Sequence, residues 1–249
     1  MAPWSPVIRP SLAFDDDPSM EPALAVVAVA GLVSVLSLLL LGAAVVRTLP
    51  AGATVENPDR PAAELCNDPI VGSVTVDGRT VAFDTPEGCA EPKRVPASRV
   101  VWRAFGSRLP GQFLGTVVGW LVVGGALHLL TREEGDSARG PMAVAAWGTV
   151  PGAVGSVVTS VLVASAVVAG DGPRATTLEA TVRGVEGALR AGVPAAVGVS
   201  AVTTVWSAWI HYHGLRAVRD LDRDRAAMAV GIVAVAGFLL ALWGALSPG

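Results

Sequence analysis

The chain has 249 residues, of which 52% are hydrophobic and only 16% charged, with a mean hydropathy of +0.55. Soluble domains carry nearer ~25% charged residues, so the composition excludes an ordinary water-soluble domain and points to an integral membrane protein. The net charge of −3 is too small to argue for nucleic acid or an acidic substrate.

Residues 1–22 read as a polar N-terminal tail holding Asp15, Asp16, Asp17 and Glu21. The first apolar run, 23–46 (ALAVVAVAGLVSVLSLLLLGAAVV), is longer than the ~7–15-residue core of a signal peptide, and acids precede it where a signal has basic residues. It is expected to remain as a transmembrane helix. About 20 apolar residues cross a bilayer. Four further runs reach that length without Asp, Glu, Lys or Arg: 110–131, 142–169, 192–215 and 226–246. The expected fold class is an all-α integral membrane protein of five transmembrane helices, with a small extracellular, disulfide-bracketed β-hairpin between helices 1 and 2. Loops 132–141 and 216–225 lie on one side, the second being Arg-rich. Segments 47–109 and 170–191 lie on the other.

Within 47–109, the stretch 66–89 (CNDPIVGSVTVDGRTVAFDTPEGC) is the one place that reads as β-structure. Asp77-Gly78 is a strong two-residue hairpin turn between alternating segments. That turn sets Val74 against Val81 and Thr75 against Thr80. Continued outward, the register sets Pro69 against Pro86, at a site where a missing N–H costs little. It then sets Cys66 against Cys89. Directly opposed residues have Cβ atoms ~4.5–5.5 Å apart, so a small adjustment permits a disulfide. The competing reading is two unrelated free thiols; a zinc site needs more ligands than this segment offers. Residues 97–109 (ASRVVWRAFGSRL) set Val101, Trp102 and Phe105 beside Arg99 and Arg103, as an interfacial helix would.

Gly111, Gly115 and Gly119 recur every four residues in the second span, and Gly148 and Gly152 repeat the spacing in the third. Such glycines let helices approach closely in lipid. They would serve either packing within the chain or contact with a membrane-protein partner or a second copy. Pro151 is expected to kink the third span. In 170–191, Leu178, Val182, Val185 and Leu189 share one helical face, with Glu179, Arg183, Glu186 and Arg190 mostly off it. This predicts a short amphipathic helix on the membrane surface. Pro194 then falls in the first turn of the fourth span, where proline is tolerated.

Five spans put the termini on opposite sides. Loops 132–141 and 216–225 carry Arg132, Arg139, Arg216, Arg219, Arg223 and Arg225, which favours a cytoplasmic N-terminus. Segment 47–109 dissents, with Lys93, Arg94, Arg99, Arg103 and Arg108. A disulfide persists outside the cytoplasm, so the Cys66–Cys89 hairpin decides for N-terminus inside and C-terminus outside, in the cell membrane.

His128, His211 and His213 are the only histidines, and the topology places all three near the inner surface. Ionisable groups in a membrane invite a metal or proton site. However, His211 and His213 are two residues apart and point in roughly opposite directions on a helix, so they are weak metal candidates. The blander reading makes them interfacial residues beside Trp206, Trp209 and Tyr212. No cofactor is expected.

Four stretches then resemble one family. VIRPSLAFDDDP is similar to a Pro-and-Phe segment ahead of a first helix. GWLVVGGALHLLT is similar to a second helix ending in a His-containing turn, and AAWGTVPGAVGSVV to a third with Trp-Gly and a midhelix proline. VWSAWIHYHGLRAVRDLDRDRAAMAV is similar to a fourth helix, a basic inner loop and the start of a fifth. Together they resemble the prokaryotic and archaeal branch of the Yip family, polytopic proteins named for binding Rab-type GTPases in eukaryotes. The resemblance implies five helices with the N-terminus inside. The acidic-aromatic motif of the eukaryotic members is absent, so Rab binding does not carry over. The 48–97 insertion looks unlike the family's usual short first loop, and no catalytic residues come with the family. The resulting expectation is a non-enzymatic scaffold or membrane-organising factor in contact with the lipid bilayer. The alternative is a transporter or channel for a small neutral solute.

Overall fold

Ser19 starts the first long helix: its hydroxyl accepts from the Glu21 N–H at 3.4 Å, satisfying one of the free donors of the opening turn. The computed structural model describes residues 5–10, 14, 19–67, 72–76, 79–83, 87–169 and 177–246. In chain order the elements are α1 (Ser5–Ile8), α2 (Met20–Thr48), β1 (Thr54–Glu56), α3 (Ala63–Asn67), β2 (Gly72–Val76), β3 (Arg79–Phe83) and β4 (Arg94–Pro96). Then come α4 (Ala97–Gly106), α5 (Leu109–Thr131), α6 (Arg139–Trp147), α7 (Thr149–Ala169), α8 (Leu178–Arg219) and α9 (Arg223–Leu246). Helices α2, α4 with α5, α6 with α7, α8, and α9 supply five stretches long and apolar enough to cross a membrane. The chain is a multi-pass membrane protein. Helices α2, α7 and α9 run from the end holding the N-terminal segment, the tail end, toward the hairpin end; α5 and α8 run back.

The expected hairpin is present. Strands β2 and β3 pair antiparallel with Val74 opposite Val81 and Thr75 opposite Thr80. Cys66 and Cys89 are joined, with Cα atoms 5.4 Å apart. The Asp77-Gly78 turn and the Pro69–Pro86 pair lie outside the described residues. One expectation needs correction, because 66–89 is not the only β-structure. Strands β1 and β4 form a second antiparallel pair, with Val55 opposite Val95. Arg94 fastens it by donating to the Thr54 hydroxyl at 2.9 Å and to the Thr54 carbonyl at 2.8 Å. Val95 is buried, and α4 follows directly, laying Trp102 and Phe105 against Gly42 of α2.

The third span breaks at Gly148, between α6 and α7, just ahead of Pro151. The fourth behaves differently from its sequence reading. Residues 178–191 and the apolar run after them form one continuous helix of 42 residues with Pro194 inside it. At 1.5 Å per residue that is about 63 Å, roughly twice the ~30 Å of bilayer hydrocarbon. The segment bearing Glu179, Arg183, Glu186 and Arg190 is therefore the part that overhangs. Thr177 caps its start by accepting from the Ala180 N–H at 3.3 Å.

The buried core lies at the tail end. Val27 of α2, Trp120 and Leu127 of α5, Ala143 to Ala146 of α6, Leu215 of α8 and Val230 of α9 converge there. The N-terminal segment joins them and is no free tail where described. Val7, Pro10 and Phe14 are buried, and the Trp206 indole N–H donates to the Val7 carbonyl at 3.4 Å.

Candidate functional site

Two arrangements concentrate polar side chains on the membrane bundle. The first is a clasp at the tail end. Arg219, in the last turn of α8, has a side chain only 5% exposed and pairs with Asp136 in the 132–138 loop. It also donates to the Ser137 carbonyl at 2.8 Å and lies 2.7 Å from Nδ1 of His128. A guanidinium has donors only, so the contact assigns His128 Nδ1 as acceptor and the ring proton to Nε2. Arg225, in the first turn of α9, pairs with Glu133 at 2.6 Å and reaches the carbonyls of Thr131 and Arg132 at 3.5 and 3.3 Å. Those carbonyls end α5 and have no partners within the helix, so the cation completes the helix terminus. Asp222 caps α9 by accepting from the Arg225 N–H at 2.8 Å. Asp220, between the two helices, turns the chain with a left-handed φ of 46°. Two loops far apart in sequence are thereby locked together by two arginines, leaving a mixed-charge surface.

The second arrangement is a cleft of about 480 Å³ inside the bundle, to which all five spans contribute. Gly111, Gly115 and Gly119 line one wall. A Cβ built on any of them would meet nothing within 4 Å. The expectation that these three bring helices into close contact within the chain is therefore corrected: they leave space. The close approaches are made elsewhere. Gly124 packs on Met142, with the neighbouring Trp120 indole donating to the Met142 carbonyl at 2.9 Å. Gly148 packs on the ring of His211. Spacing alone does not say which face of a helix meets a neighbour, and nothing in the sequence separates Gly124 from Gly119. Ser207, one turn before His211, donates to the Gly148 carbonyl at 2.9 Å and so bridges the α6–α7 break to α8. His211 is 7% exposed, lines the cleft, and its Nε2 has no hydrogen-bond partner.

The three histidines thus occupy three settings. His128 is engaged by Arg219, His211 faces Gly148, and His213 stacks edge-on against Trp209 and Tyr212 with ring centroids 5.4 and 5.0 Å away. Among the described residues no group of three or more His, Cys, Asp or Glu side chains is placed to hold a metal ion. Sequence reasoning marked Arg219 and Arg225 only as topology signals. Their partners lie 83 and 92 residues away, beyond any local pattern.

A family model described as the Yip1 domain matches residues 4–245. Neither the comparison with curated proteins nor that with solved structures yields a match.

Proposed function

Because the chain belongs to the Yip1-domain family, we propose that this integral membrane protein is a non-enzymatic scaffold or membrane-organising factor. The observation that carries the reading is the clasp: Arg219 and Arg225 hold the 132–138 loop against the α8–α9 turn. A rigid, mixed-charge face at the mouth of a helical bundle suits docking of other membrane proteins, where complementary charge gives specificity. Charge pattern and disulfide support a cell-membrane protein with the clasp in the cytoplasm and the hairpin outside. A homodimer through Gly111, Gly115 and Gly119 is a competing use of the cleft wall.

Two experiments test this. Proteins cross-linked to the full-length chain in native membrane are quantified for wild type and for Arg225→Glu, which reverses the charge facing Glu133. A discrete set of membrane proteins lost in the variant at equal expression supports docking at the clasp. A set no different from that of an unrelated five-span protein defeats it. Labelling of Cys66 and Cys89 with a membrane-impermeant thiol reagent on intact cells, only after reductant, fits the orientation; labelling only after permeabilisation reverses it.

A further inference from the structure

The cleft combines three features. It is open: Gly115, Gly119, Gly152 and Gly237 on its walls are exposed, and in a bilayer that opening faces lipid. It carries no Asp, Glu, Lys or Arg. Its hydroxyls are also biased toward accepting, while the Gln112 amide on the same wall offers both donors and an acceptor. Ser34, Thr116, Thr149, Ser156 and Thr203 each donate their hydroxyl hydrogen to a carbonyl of their own helix or of the turn leading into it, and Ser207 donates to Gly148. Their oxygen lone pairs are left over, save that the Ser156 oxygen also meets the Ser37 hydroxyl at 3.3 Å. Against this wall stands His211, more than nine-tenths buried, with an Nε2 that no protein group satisfies. A buried polar atom without a partner is destabilising, and a ligand that supplies the partner relieves it.

We propose that this cleft binds a neutral long-chain amphiphile with a hydroxyl head, drawn sideways from the bilayer. An O–H head donates into the row of acceptors, and a small rotation of the His211 ring off Gly148 lets it satisfy Nε2 in either tautomer. A charged head would find no counter-charge. The volume lies within the ~300–1,000 Å³ typical of small-molecule sites.

The test uses the full-length protein in phosphatidylcholine vesicles and three photoactivatable probes: a long-chain alcohol carrying a diazirine, its methyl ether, and its phosphate ester. In wild type, the alcohol labels α5 and α8 in a saturable manner, about tenfold more than the ether, as one buried hydrogen bond implies, and the phosphate labels least. His211→Phe brings alcohol and ether to equal labelling. Gly115→Leu with Gly119→Leu, whose side chains enter open space, abolishes both. Gly237→Leu does the same from the opposite wall and serves if the first pair fails to fold. Gly231→Leu, outside the cleft, changes nothing. Equal labelling of wild type by alcohol and ether overturns the proposal, as does labelling that survives the filled cleft. A Gly115→Cys chain that cross-links to its own copy, with no protection by the alcohol, also overturns it and assigns the cleft to a dimer.

Discussion

The two halves of this bundle are built on opposite plans. At the tail end five spans and the N-terminal segment close around Leu127, Val144 and Leu215, each 0% exposed, and two arginines tie the loops above them. Toward the hairpin end α2 and α7 stay packed, with Ala44, Val163 and Val167 buried, but α5 draws away and presents glycines to empty space. Lipid tails are as apolar as leucine, so a membrane protein gains little by burying apolar surface for its own sake. Packing is spent where rigidity is needed and withheld where a cleft is needed.

The contrast is most exposed to failure at two leucines. Leu127→Ala should cost about 3 kcal/mol of stability by leaving a cavity in the closed half, whereas Leu114→Ala, at a position 57% exposed, should change it by less than ~0.5 kcal/mol. Reversible denaturation in mixed micelles measures both, and equal losses would erase the distinction. Arg219→Ala comes next, at about 2 kcal/mol, because it removes charge-assisted bonds from Asp136 and Ser137 together. Hydrogen exchange should quicken in 132–138 and stay unchanged at the hairpin; a uniform rise would mean that the clasp is not local. The glycines sharpen the comparison further. Gly148→Ala must push the His211 ring aside, for a loss of about 1–2 kcal/mol. Gly115→Ala should be neutral or slightly stabilising, since helix propensity favours alanine by ~1 kcal/mol. Asp220→Gly relieves a left-handed φ of 46° and should raise the melting temperature by the equivalent of less than ~1 kcal/mol.

The features legible in the sequence were those with a local cause. Uncharged runs announce spans because charge is costly in lipid. The hairpin register follows from one turn and strict alternation, and it led directly to the joined Cys66 and Cys89. The missed features have non-local causes or are too short for a pattern. Three-residue strands such as β1 and β4 have no period to detect. Gly192 and Pro194 read as the start of a helix, yet α8 runs through both. The cleft was invisible because Gly111, Gly115 and Gly119 have the same spacing whether they touch a helix or face a void. The sequence offers His128, His211 and His213 alike as weak metal candidates, while the groups that meet His128 and His211, Arg219 and Gly148, come from other helices.

The docked N-terminal segment has a consequence for how the molecule is made. The Val7 carbonyl is held by Trp206, 199 residues later, and the ring of Phe14 lies over Gly214. A chain inserted from its N-terminus must therefore hold these early residues in waiting while three spans are synthesised. The closed half cannot begin to close on them before the fourth span arrives, and Val230 of the fifth completes it. Its maturation is set by the slowest and most distant of its contacts, and a ribosome stalled before residue 206 would leave a membrane-inserted intermediate whose core is still open.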